Sequence, residues 1–493
     1  MKKKIKIIFA LSALILAGVL GSSLLAFFYG VGPLGTWQGE LDTGLARFRI
    51  ALILQRDPDG KSIAVFNNID DGIYNQPFKK FYFRNKFFHG ELATGEVLDL
   101  SVNRLGFGSK LVGTYRQAHG SFQREGMVSR LELRVGRGYL EPRVGPDGHF
   151  VTEEPYQMPR KMSDGWEVGS AAGDVEGLKK IKIGIAGILK EDFPHIHSLL
   201  VVKKGKLVLD EYFYGYGPEE KHPMQSVTKS VFSLLFGVAQ DRGLVFIGQK
   251  LFSYFPEYRS RPGWDSHEDR ITLGMLLTMR SGVACDDWQN SKVCSWDMVN
   301  SPDWLNFSLS LPLGNLPGKH FAYCGACLTP LSAVLAAKSG MGVPGFAEKY
   351  LFGPLGIKDV EWMEGPGSVT PVSFGLSLRP RDLAKLGQLI LNQGKWNGAQ
   401  VISKDWIKRS TSVQVRRNQK KSEADYGFLW WIRTLPAGGK NIRVIDGWGV
   451  GGNHLFIVPD LDLVCVITAG NYKDGKLGAE SLEFFKNYIL GMS

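Results

Sequence analysis

Cysteine is scarce in this chain: five among 493 residues, at positions 285, 294, 324, 327 and 465. None lies near the apolar amino terminus, which excludes lipid attachment there. Basic runs interleaved with aromatic residues are absent, as is any recognisable nucleic-acid-binding signature, so no nucleic-acid partner is expected. The net charge is +11, and Lys2, Lys3, Lys4 and Lys6 supply four of those charges. The remaining excess fits ordinary solubility, or a position near an anionic membrane surface. Histidine-based metal-binding motifs are missing too. His195-Ile196-His197 has ligand-like spacing but no acidic or histidine partner, and His267-Glu268-Asp269 is not a zincin motif. Neither a metal nor a cofactor is expected. Nothing in the composition points to disorder: 44% of residues are apolar, 22% charged and 12% aromatic, and the length suggests two or three domains.

What is present begins at the amino terminus. After the lysines, Ile7 to Phe28 run apolar, close to the about 20 residues that span a bilayer. No Ala-x-Ala cleavage site follows. Residues 1–30 therefore read as an uncleaved signal anchor with cytoplasmic lysines, a single pass through a bacterial inner membrane, and an extracytoplasmic (periplasmic) remainder. Secretion after signal cleavage is the alternative. Four of the five cysteines cluster between 285 and 327, and four cysteines allow three full pairings. The cluster resembles a zinc site, but the separation of Cys285 from Cys294 is wrong for a zinc knuckle. A disulfide joining Cys285 and Cys324 is favoured, with Cys465 a buried free thiol in the run Leu461 to Ile467.

Two regions follow the anchor. Residues 31–137 alternate as short strands: 48–54, a strand from Ser62, 97–102, 111–115 and 131–135, with Asp57-Pro58-Asp59-Gly60 as a strong turn signal. Even spacing without a helical period predicts an antiparallel barrel or sandwich. Gly35-Thr36-Trp37-Gln38-Gly39 and Asp70-Asp71-Gly72 resemble the small lipocalin-like domains that precede some exported hydrolases. Residues 138–165, with Pro142, Pro146, Pro155 and Pro159, read as a linker. Residues 166–493 open with a helix over 178–189 and a hairpin of 198–202 with 207–212. Helices fill 225–410, and strands return at 426–433, 441–445, 454–458 and 463–468. Strands at both ends with helices between predict one mixed sheet whose edges meet in space, with a helical region on one side, an α+β fold.

Ser226-Val227-Thr228-Lys229 is the one place where a serine has a lysine three residues on. Apolar Val227, Val231, Leu234, Leu235 and Val238 follow at helical spacing, and Gly243 closes the helix. Positions i and i+3 share a helix face, so the lysine amine can sit beside the serine hydroxyl. A serine is a weak nucleophile until a neighbouring base takes its proton.

The motif's surroundings carry a family resemblance. Ser198 to Val208 before the box, Ile271 to Gly282, Pro317 to Cys324, Tyr426 to Trp431 and Gly447 to Asn453 match, in order, segments of the penicillin-recognising serine hydrolases. The chain resembles the class C β-lactamase-like, penicillin-binding-protein-like group, and within it the branch of carboxylesterases and 6-aminohexanoate-dimer hydrolases. That resemblance implies a β-lactamase/transpeptidase-like catalytic domain in which Ser226 forms an acyl-enzyme on an ester or small amide substrate. Lys229 and Tyr323 would share the proton traffic. Tyr323 would serve as base if neighbouring ammonium groups favour its phenolate; the alternative gives that role to Lys229. The oxyanion would be held by the Ser226 N–H and by the strand near Val450 or Gly451.

Two departures from the family stand out. Its Tyr-x-Asn is Tyr323-Cys324-Gly325 here, so the asparagine that helps hold the lysine is missing. Its Lys-Thr-Gly or His-x-Gly is Trp448-Gly449-Val450, so no cation grips a substrate carboxylate. Both point away from lactams and D-Ala peptides. The rival readings are a catalytically silent binding or envelope protein on the same fold, and a β-lactamase or D-Ala peptidase. Asp286 and Asp287, beside Cys285, are candidates for the rim of the site. Oligomeric state is left open.

Overall fold

Alternation of buried and exposed positions builds the amino-terminal unit. In the computed structural model, which describes residues 35–42, 47–56, 59–68, 73–84, 87–103, 110–116, 128–135, 156–288, 294–417, 424–472 and 479–492, eight strands form a closed antiparallel barrel. They are β1 (Gly35–Asp42), β2 (Arg47–Arg56), β3 (Ser62–Asn68), β4 (Ile73–Arg84), β5 (Phe87–Leu92), β6 (Val97–Asn103), β7 (Lys110–Arg116) and β8 (Val128–Val135). Each pairs with the next, and β1 closes on β8 with Trp37 opposite Val135. Closure leaves no strand edge open. Ile50, Leu52, Leu54, Phe88, Leu92, Leu98 and Leu100 recur at every second position and pack inside with Trp37, Phe66 and Phe78. Gly60, at φ 80°, makes the tight turn between β2 and β3.

Contacts divide the chain into Met1–Leu140 and Glu141–Ser493. The segment expected as an anchor lies outside the described residues. Among the described residues no single helix is long and apolar enough to cross a membrane; one bent pair, Ala326–Ser339 with Val343–Phe352, passes by length and composition only. Of the segment expected as a linker, 138–155 lies outside the described residues. Residues 156–165 are bound into the second unit. Tyr156 donates to the Val208 carbonyl at 2.8 Å, and Asp164 meets Arg381 at 2.6 Å.

The second unit is organised on a seven-stranded sheet. Its strands are β9 (Ile196–Lys203), β10 (Lys206–Tyr212), β11 (Ala424–Tyr426), β12 (Trp431–Ala437), β13 (Lys440–Gly449), β14 (Asn453–Val458) and β15 (Leu463–Ala469), in the order β10-β9-β15-β14-β13-β12-β11. The early and late strands of the unit meet inside the sheet, not at its edges, which are β10 and β11: β9 lies against β15, with Val201 opposite Cys465. The sheet is not mixed, however. Every ladder in it is antiparallel, because β9–β10 and β11 to β15 are successive reversals and the long-range β9–β15 pair also runs antiparallel.

Both faces of β9 and β15 are buried. Helix α1 (Val175–Leu189) and the carboxy-terminal α4 (Ala479–Phe484) share one hydrophobic core with the sheet. On the other face lie α2 (Val227–Asp241) and α3 (Pro380–Leu391). Gly387 of α3 lets that helix close on the sheet: a Cβ there would come within 2.6 Å of Val464.

Candidate active site

The turn before α2 is bent by its own backbone. Met224 N–H bonds the Leu376 carbonyl at 2.8 Å, Gln225 then takes φ 49°, and Ser226 sits at the helix amino terminus. A non-glycine residue at positive φ is costly and persists where its surroundings fix it. Behind it α2 is buried from Val227 to Ala239, so the helix cannot shift without breaking the core.

Lys229, one turn into α2, is buried. Its Nζ lies 2.8 Å from Ser226 Oγ and 2.8 Å from the Ser373 carbonyl. Burial pushes its ammonium down to about 7, against a smaller upward pull from Asp287. Tyr323 is also buried; its hydroxyl lies beside Ser226, and Lys229 Nζ stands 4.9 Å from its ring centre. Burial raises the phenol well above its ordinary value, and the neighbouring Ser226 hydroxyl opposes this only in part. The phenolate is therefore disfavoured here, while the amine exchanges its proton at about 7.

Two matched segments hold Tyr323 in place. Ala322 N–H bonds the Met279 carbonyl at 2.9 Å, and Gly318 N–H bonds that of Arg280 at 2.8 Å. Gly282, at φ 85°, is pressed so close that a Cβ would fall 2.5 Å from the Asn315 carbonyl. From the far side, the Asp287 N–H donates to the Tyr323 carbonyl at 2.7 Å.

The β12–β13 ladder ends with Trp431 opposite Asp446, so β13 runs on alone on that side. There Gly449 approaches the Ser226 turn: a Cβ on it would lie 2.7 Å from the Met224 carbonyl and 3.1 Å from Ser226 N. The strand end thus meets the first amide of α2, as an oxyanion pocket requires. Val450 follows directly, and its carbonyl accepts from Asn453. Gly451, at φ 85°, is turned against the Tyr472 ring instead. Trp448 lines the mouth with Trp288 and Trp431; Trp288 stacks on Tyr323 at 4.7 Å and lies 5.9 Å from Trp448.

The favoured Cys285–Cys324 link is corrected. Cys285 is bonded to Cys294 and Cys324 to Cys327, at Cα separations of 5.8 and 5.4 Å that suit a disulfide. Cys285 and Cys324 are neighbours without being bonded, with sulfurs 2.7 Å apart. Oxidised in this way, the cluster offers a metal no thiolates. Cys465 is a buried free thiol. His197 bonds His222 at 2.9 Å in the interior, and Asp286 accepts the Trp288 N–H. Sequence reasoning passed over Ser295 and Ser373. Neither belongs to a recognisable motif, and each acts through a contact with a distant segment.

The beta-lactamase family profile matches residues 196–480. The chain is 23% identical to 6-aminohexanoate-dimer hydrolase of Paenarthrobacter ureafaciens over 287 residues, 54% of this chain and 70% of that protein. EstCE1, a hydrolase with promiscuous acyltransferase activity, superposes with a TM-score of 0.53 at 14% identity, covering 64% of this chain and 99% of its own. The octameric penicillin-binding protein homologue from Pyrococcus abyssi gives 0.50 at 17%, covering 65% and 79%. Those superpositions speak for the shared fold, and the profile spans more than half the chain: this protein belongs to the beta-lactamase family of serine hydrolases.

Proposed function

We propose that the protein hydrolyses ester or small amide bonds through an acyl-enzyme on Ser226, with Lys229 as base. The observation that carries this reading is the Lys229 amine, buried, 2.8 Å from Ser226 Oγ and with its pKa lowered to about 7. Neutral Lys229 takes the hydroxyl proton as Oγ bonds to the carbonyl carbon. Charge then collects on the carbonyl oxygen, which the Ser226 N–H and the Gly449–Val450 strand end face. As the intermediate collapses, the proton passes from Lys229 through the Tyr323 hydroxyl to the departing alcohol or amine. Water repeats the cycle and frees the acid. Base catalysis of this kind contributes roughly 10²- to 10⁴-fold.

Trp448 and Gly325 support esters and small amides over lactams. The aromatic wall of Trp288, Trp431 and Trp448 suits an apolar acyl group. The two disulfides, with Lys2 to Phe28, support an anchored, extracytoplasmic location. Ser226→Ala is expected to abolish p-nitrophenyl ester turnover and fluorophosphonate labelling while leaving the circular dichroism spectrum unchanged. An unlabelled parent enzyme would favour a silent binding protein, and turnover of nitrocefin or D-Ala peptides a lactamase or peptidase.

A further inference from the structure

The place of the missing asparagine is not vacant. A Cβ on Gly325 would lie 2.6 Å from Ser295 Oγ and 3.3 Å from both Asp287 Oδ2 and Ser373 Oγ. Three polar groups from elsewhere in the chain converge where a longer side chain would stand. Asp287 is at their centre. Its Oδ2 accepts from Gly325 N–H at 2.8 Å and from Ser295 Oγ at 2.6 Å; its Oδ1 accepts from Ser295 N–H at 3.1 Å. Ser295 Oγ in turn accepts from Ala326 N–H at 3.1 Å. The Asp287 backbone N–H reaches the Tyr323 carbonyl. The disulfides frame the same contact. Cys285–Cys294 closes the segment with Asp287 inside and Ser295 just beyond; Cys324–Cys327 brackets Gly325 and Ala326.

We propose that Asp287, clamped by Ser295 and the two disulfides, is the positioning residue that replaces the family asparagine, fixing Tyr323 and setting the charge environment of Lys229. Gly325 is required because its missing side chain makes room for Ser295. Asp287 is the charged group that bears on the Lys229 ammonium; the other groups at the amine are Ser226 Oγ, the Ser373 carbonyl and the Tyr323 ring, none of them charged. A carboxylate holds a neighbouring amine protonated to higher pH, so removing it has a readable direction.

This inference rests on the hydrolase reading, and Asp287→Asn in the full chain tests it. With p-nitrophenyl acetate, kcat should fall by about tenfold or more with KM little changed, as for a group that orients others. The acid limb of the kcat/KM profile should move to lower pH, because the Asp287 carboxylate favours the ammonium form of Lys229. A lower kcat with an unmoved acid limb would reduce Asp287 to a structural role and overturn the proposal. Should that variant fail to fold, Ser295→Ala is expected to lower kcat at constant KM, with recovery in Ser295→Thr; parental kinetics in Ser295→Ala would overturn it equally. A parent that neither turns over nor takes the fluorophosphonate label would refute the hydrolase reading itself, a result distinct from either.

Discussion

The barrel and the hydrolase unit are both built from antiparallel ladders, yet they bury different things. Inside the barrel the core is Trp37, Ile50, Leu52, Phe66, Phe78, Phe88 and their neighbours, with Phe78 and Phe88 edge to face at 5.4 Å. The hydrolase unit buries charge as well: Lys229, Arg381, Lys385 and Arg433 are all nearly inaccessible. Three of these cations have a carboxylate at hand. Arg381 meets Asp210 at 2.7 Å, Lys385 meets Asp382 at 2.7 Å, and Arg433 meets Asp446 at 2.7 Å. Lys229 instead contacts a hydroxyl and a carbonyl. An isolated buried charge is so costly that the group neutralises, whereas a paired one stays ionised. That contrast separates the three paired cations from the one we propose as base, and the groups of the proposed chemistry all lie outside the barrel.

The contrast can be broken from either side. Removing the reactive cation should have the largest effect: Lys229→Met keeps the volume, loses the base, and is expected to lower kcat/KM by roughly 10²- to 10⁴-fold. Its folded state should not suffer, since Lys229 makes no salt bridge among the described residues and Asp287 keeps its hydrogen bonds from Ser295 and Gly325; thermal melting checks this. Removing a barrel core residue should do the reverse. Phe88→Ala is expected to destabilise the barrel by about 3–5 kcal/mol and to leave ester turnover as it was. A fall in kcat that tracks the barrel's unfolding would mean that the two units are not chemically separate.

Much of this was legible in the chain itself, where the cause is local. The helix after Ser226, the 198–212 hairpin and the alternating barrel strands follow from side-chain period and turn residues. So does the i to i+3 meeting of Ser226 with Lys229. What escaped depends on segments far apart in sequence. Spacing could not decide the disulfides, because the sulfurs of Cys285, Cys324 and Cys327 lie within 4.8 Å of one another and several pairings were within reach. Gly325 reads as a missing asparagine. That Ser295 and Asp287 occupy its place is visible only once three segments are brought together. The expectation of a Tyr323 phenolate rested on neighbouring cations, but a single amine stands there, and burial disfavours the charged form of the phenol and of the amine alike. The mixed sheet was inferred from strands at both ends, which does not fix their direction.

The central claim is that Ser226 is activated by a neutral Lys229. It is tested most directly by the rate of fluorophosphonate labelling of Ser226 as a function of pH, which reads the nucleophile without the later steps. Protonated Lys229 cannot accept the proton, so the rate should be low in acid and rise through a single ionisation at about 7, a rise absent from Lys229→Met. A parent profile flat across the neutral range, or one rising only near the ordinary lysine value, would contradict the account.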